Sequence, residues 1–135
     1  MADEELGVLR RAAFAALENA YAPYSGFRVG AALLGDGDRV FSGCNVESAA
    51  YPAGICAERG AVAAAVAAGA RSFRALVVAT EAGEPTPPCG MCRQVLVEFA
   101  PSLEVVSVTR GGREARWSML DLLPRPFTPA SMERA

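Results

Sequence analysis

The chain has no histidine. Serine–histidine and cysteine–histidine nucleophile pairs are therefore excluded, and so is every metal site built on imidazole. A metal here must be held by thiolates and carboxylates. Basic clusters are missing as well. Formal net charge is −2 and no run of Lys or Arg stands out. A nucleic-acid surface needs a basic face to neutralise phosphates, so nucleic acid is not an expected partner. No uncharged apolar stretch reaches the roughly 18 residues of a membrane span. No basic-then-apolar leader opens the chain. The expectation is a soluble, cytoplasmic protein with no membrane partner. Internal repeats are absent, and the one biased segment is an alanine-rich helix.

What is present suits one folded unit over 1–135, with a flexible tail from about residue 128. Composition is 52% hydrophobic and 21% charged, which fits a globular core and argues against disorder. Residues 3–21 read as an amphipathic helix: Leu6, Leu9, Ala13, Leu17 and Ala20 recur at helical spacing behind the acidic Asp3, Glu4 and Glu5. Phe27 to Leu34 is strand-like, and Gly35 to Asp38 is a hairpin turn into a strand from Arg39 to about Val46. A helix begins near Cys56. Phe73 to Thr80 reads as a buried central strand. The loop EAGEPTPP halts regular structure before a helix from about Cys89 to Phe99. Strands follow at Leu103 to Thr109 and Glu114 to Trp117, with a short helix in SMLDLLP. This order gives an α/β fold: one three-layer α/β/α domain around a mixed five-stranded sheet.

Two stretches carry chemistry. Pro88-Cys89-Gly90-Met91-Cys92 places a Cys-x-x-Cys at the start of a helix, with both sulfurs on one face. By itself that pattern fits redox chemistry or structural zinc. Cys56-Ala57-Glu58-Arg59 places a third cysteine at another helix start. Helix N-termini favour thiolates, because unpaired N–H groups and the macrodipole stabilise negative charge. Three protein ligands plus water is the catalytic zinc arrangement, and four ligands the structural one. Cys44, in GCNVE, lies on the opposite strand face from Asn45 and Glu47 and reads as a small buried hydrophobe. Glu58 stands beside the metal without having to bind it, placed to move protons. Arg59 and Arg93, three and four residues past a cysteine, can fold back to donate hydrogen bonds to thiolate sulfur. They read otherwise as solvated helix charges.

Together these segments resemble the zinc-dependent cytidine deaminases, specifically the short, homotetrameric, three-cysteine type. YAPYSGFRVGAAL, GCNVES, CAER, PCGMCRQ and LLPRPF follow one another in the family's order. Gly26 departs from it, standing where the family often has asparagine.

The resemblance implies one Zn²⁺ per subunit on Cys56, Cys89 and Cys92, with Glu58 as proton shuttle. It implies Asn45 and Glu47 at the ribose hydroxyls, residues that alone read as turn and surface positions. Phe27 would line the pyrimidine pocket, the Ala57 backbone would meet the base, and Tyr51 would contribute from the loop before the zinc helix. Phe127 would stack on the base of a neighbouring subunit in a homotetramer with shared sites. The implied reaction is hydrolytic deamination of free cytidine and deoxycytidine in pyrimidine salvage. A related deaminase acting on an aminoacyl-nucleoside antibiotic such as blasticidin S is an alternative, and a non-catalytic zinc or thiol binding module is another.

Overall fold

The computed structural model describes residues 1–134; Ala135, the last residue of the expected domain, lies outside them. Helix α1 (Asp3–Leu17) opens with three acidic residues at its positive end, and the Glu5 carboxylate accepts the Ala2 N–H at 3.0 Å. Leu6, Leu9, Ala13 and Leu17 form its buried stripe. The helix stops short of the expected Tyr21. There the backbone leaves to pair with Val46, and the Tyr21 N–H donates to the Asn45 carbonyl at 3.0 Å. Strands β1 (Val29–Gly35) and β2 (Val40–Cys44) follow, joined by a 3-10 turn at Asp36–Asp38. Then come α2 (Ala57–Ala67), β3 (Phe73–Thr80), α3 (Gly90–Phe99), β4 (Glu104–Thr109), β5 (Glu114–Ser118) and α4 (Met119–Leu122). The Ser118 hydroxyl caps α4 by accepting the Asp121 N–H at 3.1 Å.

The sheet order is β2-β1-β3-β4-β5, with β3 and β4 parallel and every other pair antiparallel. This is the mixed five-stranded sheet expected from the sequence. Alternation along β1 sends Ala31 and Leu33 to one face and Ala32 and Leu34 to the other. Leu76 and Val78 of β3 join the first face, which α2, α3 and α4 cover; Ala75, Val77 and Ala79 join the second, under α1. A strand buried on both faces reads as a continuous apolar run, which is why β3 is legible as FRALVVAT.

Two glycines set the spacing of the layers. A Cβ on Gly30 would stand 1.9 Å from the Ala13 carbonyl oxygen, so α1 rests directly on β1. A Cβ on Gly43 would meet Ala57 and Ala61 backbone at 2.5 and 2.4 Å, so the first turns of α2 rest directly on β2. Gly43 therefore seats the helix that begins with Cys56.

The expectation that Cys44 is buried needs correction. Cys44 is only half-buried, because β2 is an edge strand of the sheet. It lies opposite Gly30, on the α1 side, away from the layer that carries the other cysteines. Beyond α4 the chain passes Pro124 and Pro126 to a 3-10 turn at Pro129–Met132, where the Thr128 N–H donates to Ser131 Oγ at 3.1 Å.

Candidate active site

The site forms at one end of the sheet. The antiparallel register sets Val29, at the start of β1, against Thr80, at the end of β3. Cys44, at the end of β2, pairs with Gly30. Phe27, Asn45 and the loop after β3 therefore converge, and α2 and α3 both start there. Carboxyl ends of strands in open α/β sheets are where ligand crevices form.

Cys56 is the N-cap of α2 and Cys89 the N-cap of α3, both with extended backbone. Cys92 is the third residue of α3 and fully buried. The three sulfurs lie within 4.8 Å of one another, and Cys56 Sγ and Cys89 Sγ are 3.9 Å apart. Two sulfurs on a tetrahedral zinc at about 2.3 Å each would be about 3.8 Å apart, so this edge already has the right length. Among the described residues no further His, Cys, Asp or Glu joins the cluster.

The charges fit a cation as well. Hydrogen bonding from the Cys92 thiol holds Cys56 down at about 5, with Arg59 and the Cys89 thiol adding to it against partial burial. The same contact, burial and the Glu58 charge push Cys92 up. Cys56 and Cys92 are thus driven in opposite directions by their mutual contact, and a dication between the sulfurs favours the thiolate form that ligation needs. Arg59 Nη2 donates to the Gly54 carbonyl at 3.4 Å and to Cys56 Sγ at 3.8 Å, while its buried Nε has no partner. A cluster carrying full thiolate charge is the natural acceptor for it. Cys56, Cys89 and Cys92 therefore fit zinc.

Glu58 lies in the first turn of α2 with only 5% of its surface exposed. Burial pushes its carboxyl up to about 7, helped by the Cys56 sulfur and opposed by its own backbone N–H and by Arg59. A nearby dication would favour the carboxylate and draw it back toward its ordinary value. Glu58, Cys56 and Cys89 line a cavity of ≈ 440 Å³, and Cys92 does not reach it. Phe27, Asn45, Glu47, Tyr51 and Ala57 line the same cavity. Tyr51 is at its exposed rim, its ring 5.9 Å from that of Tyr24 in an edge-on arrangement.

Asn45 and Glu47 are held by the chain segment that forms the cavity's wall. Asn45 Oδ1 accepts the Val29 N–H at 2.9 Å, and Nδ2 donates to the Phe27 carbonyl at 2.8 Å. Glu47 Oε1 accepts the N–H groups of Tyr24 and Ser25 at 2.9 and 3.0 Å, and Oε2 accepts the Ser25 hydroxyl. Those bonds, the Ser25 hydroxyl first, hold the Glu47 carboxyl below its ordinary value. Of roughly four lone-pair directions on a carboxylate, one is left, and Asn45 keeps one acceptor direction and one hydrogen. Gly26, inside this segment, has φ +67°, the left-handed region that glycine and asparagine enter most easily.

One expected residue stands elsewhere. Arg93 does not meet sulfur: Nε donates to the Pro88 carbonyl at 2.7 Å and Nη1 to the Leu122 carbonyl at 2.8 Å. Those two bonds tie the loop before Cys89 to the end of α4. Phe127 is 60% exposed and outside the cavity of its own chain, its carbonyl accepting Gln94 Nε2 at 2.7 Å. Sequence reasoning missed Ser25, Thr80 and Thr86, which also line the cavity. Thr86 is anchored by its N–H to the buried Ser107 hydroxyl at 2.9 Å, a contact no local pattern announces.

The chain matches the family model described as the cytidine and deoxycytidylate deaminase zinc-binding region over residues 4–108. It is 43% identical over 121 residues to a cytidine deaminase of Sporosarcina psychrophila, covering 89% of both chains. With a cytidine deaminase of Halalkalibacterium halodurans it shares 40% over 126 residues, covering 93% of this chain and 96% of the relative. Among solved structures, the cytidine deaminase of Burkholderia pseudomallei superposes with a TM-score of 0.87 at 48% identity, covering 94% of this chain and 100% of that one. A cytidine deaminase of Bacillus anthracis, at 16% identity and TM-score 0.67, shares the fold. With three sulfurs and a buried carboxylate at two helix starts, and with these likenesses, the chain belongs to the zinc-binding cytidine and deoxycytidylate deaminase family.

Proposed function

We propose that the protein hydrolyses the exocyclic C–N bond of free cytidine and deoxycytidine, giving uridine or deoxyuridine and ammonia. The observation that carries this reading is the pairing of a three-sulfur cluster and buried Glu58 with Asn45 and Glu47 in one cavity. Cys56, Cys89 and Cys92 hold the ion, and Arg59 shares the charge of the Cys56 sulfur. When bound, zinc supplies Lewis acidity that makes a water nucleophilic at neutral pH. Glu58 takes a proton from the attacking water, delivers it to N3 of the ring, and then serves the departing ammonia. Its dry surroundings strengthen that exchange. Phe27 packs on the pyrimidine, and the Ala57 backbone meets its polar edge. The remaining donor and acceptor positions on Asn45 and Glu47 take the sugar hydroxyls, with Tyr51 at the rim.

The chain acts as one catalytic domain in a cytoplasmic homotetramer serving pyrimidine salvage, its Phe127 reaching a neighbour's site. Support for assembly comes from large apolar side chains left in water: Tyr51, Met91, Leu120, Phe127 and Met132 are each more than half exposed. None of the described helices is long and apolar enough to cross a membrane.

The test is ammonia release, followed with the ultraviolet change, on cytidine, deoxycytidine, cytosine and blasticidin S, with and without a chelator. Chelator-sensitive turnover of both nucleosides is expected. Turnover of blasticidin S alone would replace the substrate assignment, and zinc content without turnover of any of the four would leave a binding module.

A further inference from the structure

Ser25 joins Glu47 to Phe27, both of which line the cavity. Its hydroxyl donates to Glu47 Oε2, its N–H donates to Glu47 Oε1 at 3.0 Å, and its Oγ accepts the Phe27 N–H at 3.0 Å. Glu47 is thereby gripped through both oxygens from one side, and Phe27 is fixed to the same hydroxyl. Asn45 closes the arrangement from the other end through the Phe27 carbonyl and the Val29 N–H. The left-handed Gly26 makes the reversal between Ser25 and Phe27 that brings these partners together.

We propose that Ser25 is a positioning residue for substrate recognition, fixing the Glu47 carboxylate so that its remaining acceptor direction faces a sugar hydroxyl. The inference rests on the reading of Glu47 as a sugar contact. A carboxylate on a flexible stem has several rotamers of similar energy, and only one presents the free lone pair to the cavity. Two donors from one residue, on different oxygens, remove that freedom. Side-chain ordering of this kind is a real cost to binding when it must occur with the ligand, and Ser25 removes it beforehand. A hydrogen bond to a charged group is worth about 1.5–3 kcal/mol, which corresponds to roughly 10- to 150-fold in affinity.

The experiment uses the zinc-loaded enzyme and compares Ser25→Ala, Ser25→Thr and Glu47→Ala. Steady-state constants are measured on cytidine, and inhibition constants for uridine and for 2′,3′-dideoxyuridine, which lacks the ring hydroxyls. Ser25→Ala is expected to raise KM and the uridine constant about tenfold or more, leave kcat within about twofold, and change the dideoxyuridine constant by less than about threefold. Ser25→Thr, which keeps the hydroxyl, is expected to recover most of the loss. Adding Ser25→Ala to Glu47→Ala is expected to cost little more than Glu47→Ala alone. If Glu47→Ala weakens uridine and dideoxyuridine equally, Glu47 is not a sugar contact and both readings fall. If Glu47→Ala discriminates the two ligands but Ser25→Ala does not, only the Ser25 proposal is overturned. A loss in kcat alone, or an effect that Thr fails to recover, also overturns it. Should Ser25→Ala lose zinc or fold poorly, the Ser25→Thr comparison decides: full retention of the uridine-over-dideoxyuridine preference supports the proposal, and its loss counts against it.

Discussion

Gly43 packs so closely on Ala57 that a methyl group on Gly43 would stand 2.5 Å from the Ala57 carbonyl oxygen. That oxygen belongs to the first turn of α2, immediately between the Cys56 cap and the rest of the helix. The contact links the sheet edge to the reaction centre. Substituting Gly43→Ala must push α2 outward, because the opposing atoms are backbone and have no rotamer to adopt. We expect a stability loss of about 1–3 kcal/mol in denaturant unfolding, accompanied by weaker zinc retention. Gly83→Ala, where an added Cβ meets nothing, is the control and should be neutral.

Glu58 is both buried and within the cavity, a position that packing alone does not favour for a carboxylate. Glu58→Ala should lower kcat by about 10²–10⁴ while zinc stays bound. Zinc content and steady-state rates measured on the same preparation check this. Full activity would remove Glu58 from the mechanism.

Arg59 and Arg93 look equivalent in sequence but differ in what they hold. Arg59→Gln withdraws a donor from the Cys56 sulfur and is expected to cost about 10- to 100-fold in zinc affinity or activity. Arg93→Ala frees the Pro88 and Leu122 carbonyls instead. Its first sign should be looser attachment of the C-terminal segment, read as faster amide exchange around α4, with the loss of zinc affinity following from the shifted Cys89 loop.

Acid should weaken the fold through a surface network. The Arg28 side chain grips Glu81 through two nitrogens, at 2.9 and 2.8 Å, and Arg110 grips Glu18. Hydrogen bonding from Arg28 holds Glu81 below its ordinary 4.5, and that from Arg110 does the same for Glu18. A carboxyl whose value is lower folded than unfolded adds stability above the unfolded value and loses it as pH falls through the folded one. Urea midpoints should therefore be flat well above 4.5 and decline below it. Glu81→Gln should flatten that decline. Because these groups are exposed, added salt should reduce the effect.

Much of this was legible in residue order, for stated reasons. β3 reads through because both its faces are buried. Cys56 and Cys89 read as helix starts, and the structure makes each an N-cap. What stayed hidden depends on backbone atoms brought from far along the chain. The Leu122 carbonyl lies 29 residues from Arg93, so no spacing rule aims the guanidinium there instead of at sulfur. Val46 pairs with both Tyr21 and Ile55 in isolated bridges, which cut β2 short of its expected end. No local pattern marks Ser25, since its partner Glu47 is 22 residues away.

The central claim concerns the coordination of one ion, and zinc-edge X-ray absorption on the purified protein tests it most directly. The account predicts one zinc per chain with three sulfur neighbours at about 2.3 Å and a single lighter atom at about 2.0 Å. A shell of four sulfurs, or a fully active protein with no zinc edge at all, would contradict it.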